Sequence, residues 1–271
     1  MENITSQNIL FALSLTLFAG LATGIGSLIA LFAKKTNTTF LSISLGFSAG
    51  VMIYVSMIEI FPKAKASLTG YCVSSSMAHF YTILAFFVGM GIIALIDKMV
   101  PEYENPHEIK SVESMVPKNR DKSLMRMGLM SALAIAIHNF PEGIATFTAA
   151  LKDPYLGIGI TVAIAIHNIP EGIAVSVPIY YATGSRKKSF WYSFMSGLSE
   201  PIGAILAFLV LMPFLNDLVF GLIFAAVAGI MVFISFDELL PTSEKYGKHH
   251  LSIYGLIGGM IVMAISLVLF E

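Results

Sequence analysis

The sequence predicts an all-α membrane protein of eight transmembrane helices, arranged as an inverted repeat around a kinked central helix pair. Three observations carry this expectation. Of 271 residues, 56% are hydrophobic and only 12% charged, and mean hydropathy is +0.80; a soluble domain of this size needs far more charge to cover its surface. The apolar residues come in blocks as long as a bilayer is thick, not at the periods of surface helices or strands. Finally, two pairs of segments in the chain repeat one another.

The blocks define the elements in order. The first, about 8–33, is uncharged throughout and long enough to cross a hydrocarbon core of roughly 30 Å at about 1.5 Å per residue. Others follow at about 39–61, 77–96, 127–151, 155–181, 190–212, 218–236 and 251–270. Together they make one eight-helix transmembrane domain, 1–271. The leader "MENITSQ" has no positive n-region, so the first block reads as a spanning helix and not as a signal peptide. The single cysteine, Cys72, leaves no intrachain disulfide to form. A net charge of −1 argues against a nucleic-acid partner.

Basic residues set the orientation. Lys34, Lys35, Lys98, Lys110, Lys118, Arg120, Lys122, Arg126, Arg186, Lys187, Lys188, Lys245 and Lys248, thirteen of the sixteen Lys and Arg, fall in alternate loops. Lys63, Lys65 and Lys152 occupy the intervening ones. The odd loops are expected to be cytoplasmic and both termini outside. The loop at about 97–126 mixes both charges with Pro101, Pro106 and Pro117, the composition of a mobile connection. Its one histidine, His107, reads as a surface residue.

The sharper repeat is "AIAIHNFPEGIA" from Ala134 against "AIAIHNIPEGIA" from Ala163, identical at eleven of twelve positions. Its copies lie in helices four and five, joined by the turn "LKDPY". Both motif centres stand at similar depth, near the bilayer midplane. The fainter repeat pairs "AGVMIYVSMIEIFP" (Ala49–Pro62) with "AGIMVFISFDELLP" (Ala228–Pro241). Six of fourteen positions match, and the two copies run in opposite directions. That is the pattern of an inverted-topology repeat, used by many secondary transporters.

The motif's polar residues point to a cation. Successive side chains advance by about 100° on a helix, so with His138 at 0°, Asn139 lies at about 100° and Glu142 at about 40°. The glutamate stands between two ligands and can bridge two cations, one per oxygen. His167, Asn168 and Glu171 repeat the arrangement, and "GLSEPIG" adds Glu200 inside an uncharged span. Pro141 and Pro170 lack N–H groups and clash with the carbonyls of Ile137 and Ile166, which predicts kinks. Gly143 and Gly172 permit close helix approach. Each intramembrane carboxylate costs about 2.5–3.5 kcal/mol on insertion scales. A divalent cation removes that penalty, because carboxylate, imidazole and amide oxygen all ligate it. Interhelical hydrogen bonding explains a single His-Asn pair as well, but it does not explain a duplicated motif beside a third buried acid.

At these residues the chain resembles the ZIP (Zrt/Irt-like) metal transporters, especially the bacterial ZupT branch. The resemblance covers essentially the whole length. It implies a binuclear metal site on helices four to six. One metal would be held by His138, Glu142, His167 and Glu171, and the second by Asn139, Glu142, Asn168, Glu171 and Glu200. It also implies zinc as the main cargo, with iron(II), manganese and cobalt in the broader range, and no prosthetic group. Relatives with histidine-rich loops exist; this sequence has no such loop.

Lesser candidates are Met52, near the metal path in relatives but more simply a packing residue, and Glu59, Asp237 and Glu238 towards the membrane faces. His79, His249 and His250 are expected at the interface. No GxxxxGK[ST] loop is present, so transport by alternating access without ATP is expected. The setting is the bacterial inner membrane, and a homodimer is one expected assembly. The rival is an intramembrane metalloenzyme, either a hydrolase or a di-iron oxidase. Di-iron bundles use Glu-x-x-His, whereas this chain has His-x-x-x-Glu interrupted by proline.

Overall fold

The computed structural model describes residues 5–32, 38–99, 122–214, 216–246 and 249–270, and every regular element among them is helical. With no water in the hydrocarbon, only a helix satisfies its own backbone there. Helix α1 is Ser6–Phe32. Helix α2 runs from Thr38–Tyr54 through a π-helical turn at Val55–Ile60 into Phe61–Tyr71, past the end at 61 that the sequence predicts. Helix α3 is Ser75–Met99, α4 is Lys122–Lys152 and α5 is Pro154–Thr183.

Helix α6 begins at Arg186–Gly197, pauses at Leu198 and resumes as Ser199–Leu206, closing in a π turn at Ala207–Leu211. Helix α7 joins Asp217–Ile234, a π turn at Ser235–Leu239 and Leu240–Tyr246, and α8 is His249–Phe270. Among the described residues, seven of these helices are long and apolar enough to cross a membrane. Helix α4, with 31 residues, is about 45 Å long at 1.5 Å per residue and occupies the place of the fourth expected span. The chain is a multi-pass membrane protein.

Local chemistry explains the boundaries. Asp153 alone separates α4 from α5; its side chain accepts from the Tyr155 and Leu156 amides, and Pro154 opens the helix. Gly184 ends α5 in the left-handed region at φ 64°, and Ser185 caps α6 through the Lys188 amide. Arg186, Lys187 and Lys188, read from sequence as loop, therefore form the first turn of α6. Lys63 and Lys65 likewise ride on the continuation of α2. Each π turn stands just before a proline, namely Pro62, Pro213 and Pro241. A proline cannot donate the bond that would carry the α-helical ladder onward, and a wider turn absorbs the defect. The first and third of these turns fall at matching places of the fainter repeat.

Packing divides the helices into two sets. In one, α1 packs on α5 and α6, and α4 packs on α5 and α6. In the other, α2 packs on α8 and α3 on α7. The last part of α2 lies along α7, and the last part of α7 along α2. The sets meet chiefly where α2 crosses α5, with smaller contacts of α7 with α4 and of α8 with α5. Leu156, Ile160, Ala163 and Ile164 of α5 share one apolar cluster there with Met52, Val55, Phe224 and Met231. Helix α5 is the central element: 78% of its spanning window is buried, against 22% for α8 and 28% for α3. The outer helices present Phe80, Phe87, Leu95 and Val268 outwards, as lipid contact requires.

The sets are also clasped at the α4–α5 turn. Lys152 donates to Ser67 Oγ at 2.7 Å, pairs with Asp217 Oδ1 at 3.0 Å and covers the Phe220 ring at 4.2 Å. Most of the expected loop at about 97–126, with His107, lies outside the described residues, as do Lys34, Lys35 and Lys248.

Candidate cation site

Glycines bring the backbones together. A side chain at Gly143 on α4 would overlap the Glu200 carbonyl of α6, and one at Gly203 would overlap the Phe140 carbonyl. On the other side, Gly172 of α5 sits against the Thr23 carbonyl of α1, and Gly26 against the Ile169 carbonyl. Gly20 and Gly197 seat α1 directly on α6. Small residues allow this approach where the hydrophobic effect gives no drive between helices. The break at Leu198 belongs to the same junction. Pro201 cannot donate to the Gly197 carbonyl, and that oxygen instead faces Gly20.

Six of the seven candidate side chains converge within this set: Asn139, Glu142, His167, Asn168, Glu171 and Glu200 are each buried, none more than 2% exposed. His138 lies on α4 one position before Asn139, and its side chain is outside the described residues. Helices α4 and α5 continue unbroken through Pro141 and Pro170.

Contacts cross between the motif copies. His167 Nε2 stands 3.2 Å from Glu142 Oε2, and its Nδ1 is 3.1 Å from the Ala163 carbonyl. Asn139 turns its amide nitrogen to the Ile135 carbonyl at 3.2 Å and to Glu171 Oε2 at 3.3 Å, since both neighbours only accept. Asn168 donates to the Ala19 carbonyl at 3.0 Å and to Glu200 Oε1. Asn168 Oδ1 and Glu200 Oε2 have no hydrogen-bond partner although buried. Among the described residues no three His, Cys, Asp or Glu side chains enclose one point. The groups stand as linked pairs, not as a closed cage.

The histidine contact has a definite chemical meaning. The Ala163 carbonyl only accepts, so Nδ1 must carry the hydrogen. Neutral Nε2 then presents a lone pair to a carboxylate oxygen, which also presents lone pairs. Two acceptors at 3.2 Å in a buried place require a positive species between them, either a proton or a metal ion. An imidazole whose far N–H is tied to a backbone carbonyl is also the usual arrangement of a metal-ligating histidine.

The lesser candidates are dispersed. Met52 is fully buried in the apolar cluster, as is its repeat mate Met231. Glu59 lies 3.7 Å from Lys63. Glu238 and Asp237 lie in the π turn of α7. His249 contacts exposed Glu244 at 2.7 Å, His250 stacks on Tyr254, and His79 is exposed in the first turns of α3. Sequence reasoning passed over α1, whose Ala19, Thr23 and glycines border the site. The stretch "AGLATGIGS" was the available signal, a run of small residues in an otherwise bulky span.

The fold and the site define an all-helical multi-pass membrane protein with imidazole, amide and carboxylate groups paired inside its helix bundle. The sequence profile of the family described as ZIP Zinc transporter matches residues 99–267. The chain is 64% identical to the zinc transporter ZupT of Oceanobacillus iheyensis over 97% of its own length and 99% of that protein's. It is 62% identical to that of Clostridium perfringens, covering 97% of each chain. It is 63% identical to that of Streptococcus mutans, covering 98% of this chain and 99% of the other. The chain belongs to the ZIP zinc transporter family. It is therefore a member of a transporter family, and the enzyme alternative falls away.

Proposed function

We propose that this chain moves zinc, and related divalent ions such as iron(II), manganese and cobalt, into the bacterial cytoplasm through a binuclear site within the membrane. His138, Glu142, His167 and Glu171 would hold one ion; Asn139, Glu142, Asn168, Glu171 and Glu200 would hold the other. The observation that carries this reading is the His167–Glu142 contact, where an imidazole nitrogen and a carboxylate oxygen from the two motif copies stand 3.2 Å apart, buried and placed to share a proton or a cation, with the outer imidazole nitrogen already engaged. Near relatives named as zinc transporters support zinc as the cargo.

Alternating access is supported by the division into two helix sets. All the described site residues belong to α4, α5 and α6, within the set that includes α1. The contact with the other set is largely apolar. Apart from the Lys152 clasp to Ser67 and Asp217, such a surface offers little fixed polar register to break when one set shifts on the other. Basic residues on alternate loops favour cytoplasmic odd loops with both termini outside. Inward movement gains about 2.3 kcal/mol per charge per 100 mV, so a dication can enter without nucleotide. The homodimer expectation gains no support from the fold or the relatives.

The test is zinc uptake by purified protein in liposomes, with Glu142→Ala and Glu171→Ala alongside. Zinc is expected to accumulate without nucleotide, and each substitution is expected to abolish flux while leaving membrane insertion intact. Normal transport by both variants would refute the bridging assignment.

A further inference from the structure

Helix α1 stands towards the second motif copy as α6 stands towards the first. Gly26 lies against the Ile169 carbonyl and Gly203 against that of Phe140, and Ile169 and Phe140 hold the same place in the duplicated motif. Gly172 lies against the Thr23 carbonyl and Gly143 against that of Glu200, again at matching motif places. Gly20 and Gly197 meet each other. Under this correspondence Thr23 is the counterpart of Glu200, and the site bears an acid on one side and a hydroxyl on the other.

That hydroxyl is one of seven buried hydroxyls without a hydrogen-bond partner among the described residues, with those of Ser27, Ser42, Ser48, Ser56, Thr146 and Ser266. Thr82, Thr148 and Thr161 donate to the carbonyls four residues back, which is the ordinary resolution within a helix. For Thr23 the corresponding carbonyl is that of Ala19, and Asn168 Nδ2 holds it at 3.0 Å. Thr23 Oγ1 is left fully buried with no hydrogen-bond partner. It lies against Gly197, one turn before Glu200 on α6. A buried hydroxyl without a partner carries a cost, and of the seven Thr23 is the one that matches Glu200 in the paired glycine contacts.

We propose that Thr23 is a specificity-determining residue, its hydroxyl supplying an oxygen donor to the transported dication from α1, opposite Glu200. The inference rests on the transport-site reading above. A neutral hydroxyl oxygen favours cations that take oxygen ligands, such as manganese, over zinc, which the imidazoles and carboxylates already serve.

The test uses zinc uptake into liposomes with manganese as competitor, comparing wild type, Thr23→Val and Thr23→Ser. Valine keeps the shape and removes the hydroxyl; serine keeps the hydroxyl. Thr23→Val is expected to raise the manganese concentration that halves zinc uptake by about tenfold, a loss in the range of supporting metal-site groups. The zinc KM should move far less, and Thr23→Ser should keep both values. An unchanged manganese response in Thr23→Val overturns the inference, as does a wild type insensitive to manganese. An equal loss for both cations overturns it too, since that is the mark of a packing defect. A wild-type protein that leaves zinc outside overturns the site reading itself, and this inference with it.

Discussion

The two helix sets are built by different rules. In the set of α1, α4, α5 and α6, backbones touch through Gly20, Gly26, Gly143, Gly172, Gly197 and Gly203, and the space between is filled by acids, amides and an imidazole. In the set of α2, α3, α7 and α8, glycines also seat helices, with Gly50 against Leu256 and Gly229 against Phe86. The interior there is mainly apolar, with Phe86, Phe220, Phe224, Met231 and Ile234 in one cluster and hydroxyls as its buried polar groups. One set is a polar container closed by backbone contact; the other is a packed wall. Buried acids, amides and an imidazole thus appear where cargo is proposed to sit, whereas the polar groups that the described framework buries are hydroxyls such as Ser48, Ser56, Thr82 and Ser235. The framework instead bears two of the three π turns, at Val55–Ile60 and Ser235–Leu239.

The sharpest way to break this contrast is to fill a backbone contact in the polar set. Gly143→Val forces a branched side chain into the Glu200 carbonyl. It is expected to destabilise by about 3 kcal/mol, the upper end of overpacking. The fall should appear in the thermal midpoint of the detergent-purified protein. A midpoint unchanged from wild type would remove the container argument.

Glu200→Gln is expected to have an intermediate effect. It keeps volume and the Asn168 contact but removes one charge, so rate or metal preference should change more than zinc affinity. Competition between zinc and iron(II) uptake measures this. A change in zinc affinity alone would place Glu200 on equal terms with Glu142 and Glu171.

The smallest effect belongs to the clasp between the sets. Lys152→Met removes the contacts to Ser67 and Asp217. Because Lys152 and Asp217 are both substantially exposed, the stability cost should stay below about 1 kcal/mol. The turnover rate for zinc should change while KM holds, since the clasp joins the sets and Lys152 stands about 15 Å along α4 from Glu142. A shift in KM would contradict the separation of clasp and site.

Much of this was legible in the sequence for plain reasons. Blocks of uncharged residues betray spanning helices because lipid tolerates little else. The doubled His-Asn-x-Pro-Glu-Gly marks the candidate site because polarity inside a membrane is costly, and its described polar side chains are buried. Other features were silent. The share of α1 rests on the Ala19 carbonyl and on glycines, and a backbone acceptor has no residue type to announce it. A π turn inserts one residue without altering apolar composition, so only the prolines at 62, 213 and 241 hinted at it. The basic residues at 186–188 suggested a loop, although Ser185 caps them into a helix.

The central claim is that the buried acids of α4 and α5 are held for a dication. Zinc titration of thermal stability in purified protein tests it most directly. For wild type, zinc at about a hundred times its dissociation constant should add about 2.7 kcal/mol, seen as a rise in melting midpoint that weakens as pH falls and protons compete for the same groups. The double variant Glu142→Gln with Glu171→Gln should fold and show no rise. An equal zinc-induced rise in the double variant would contradict the claim.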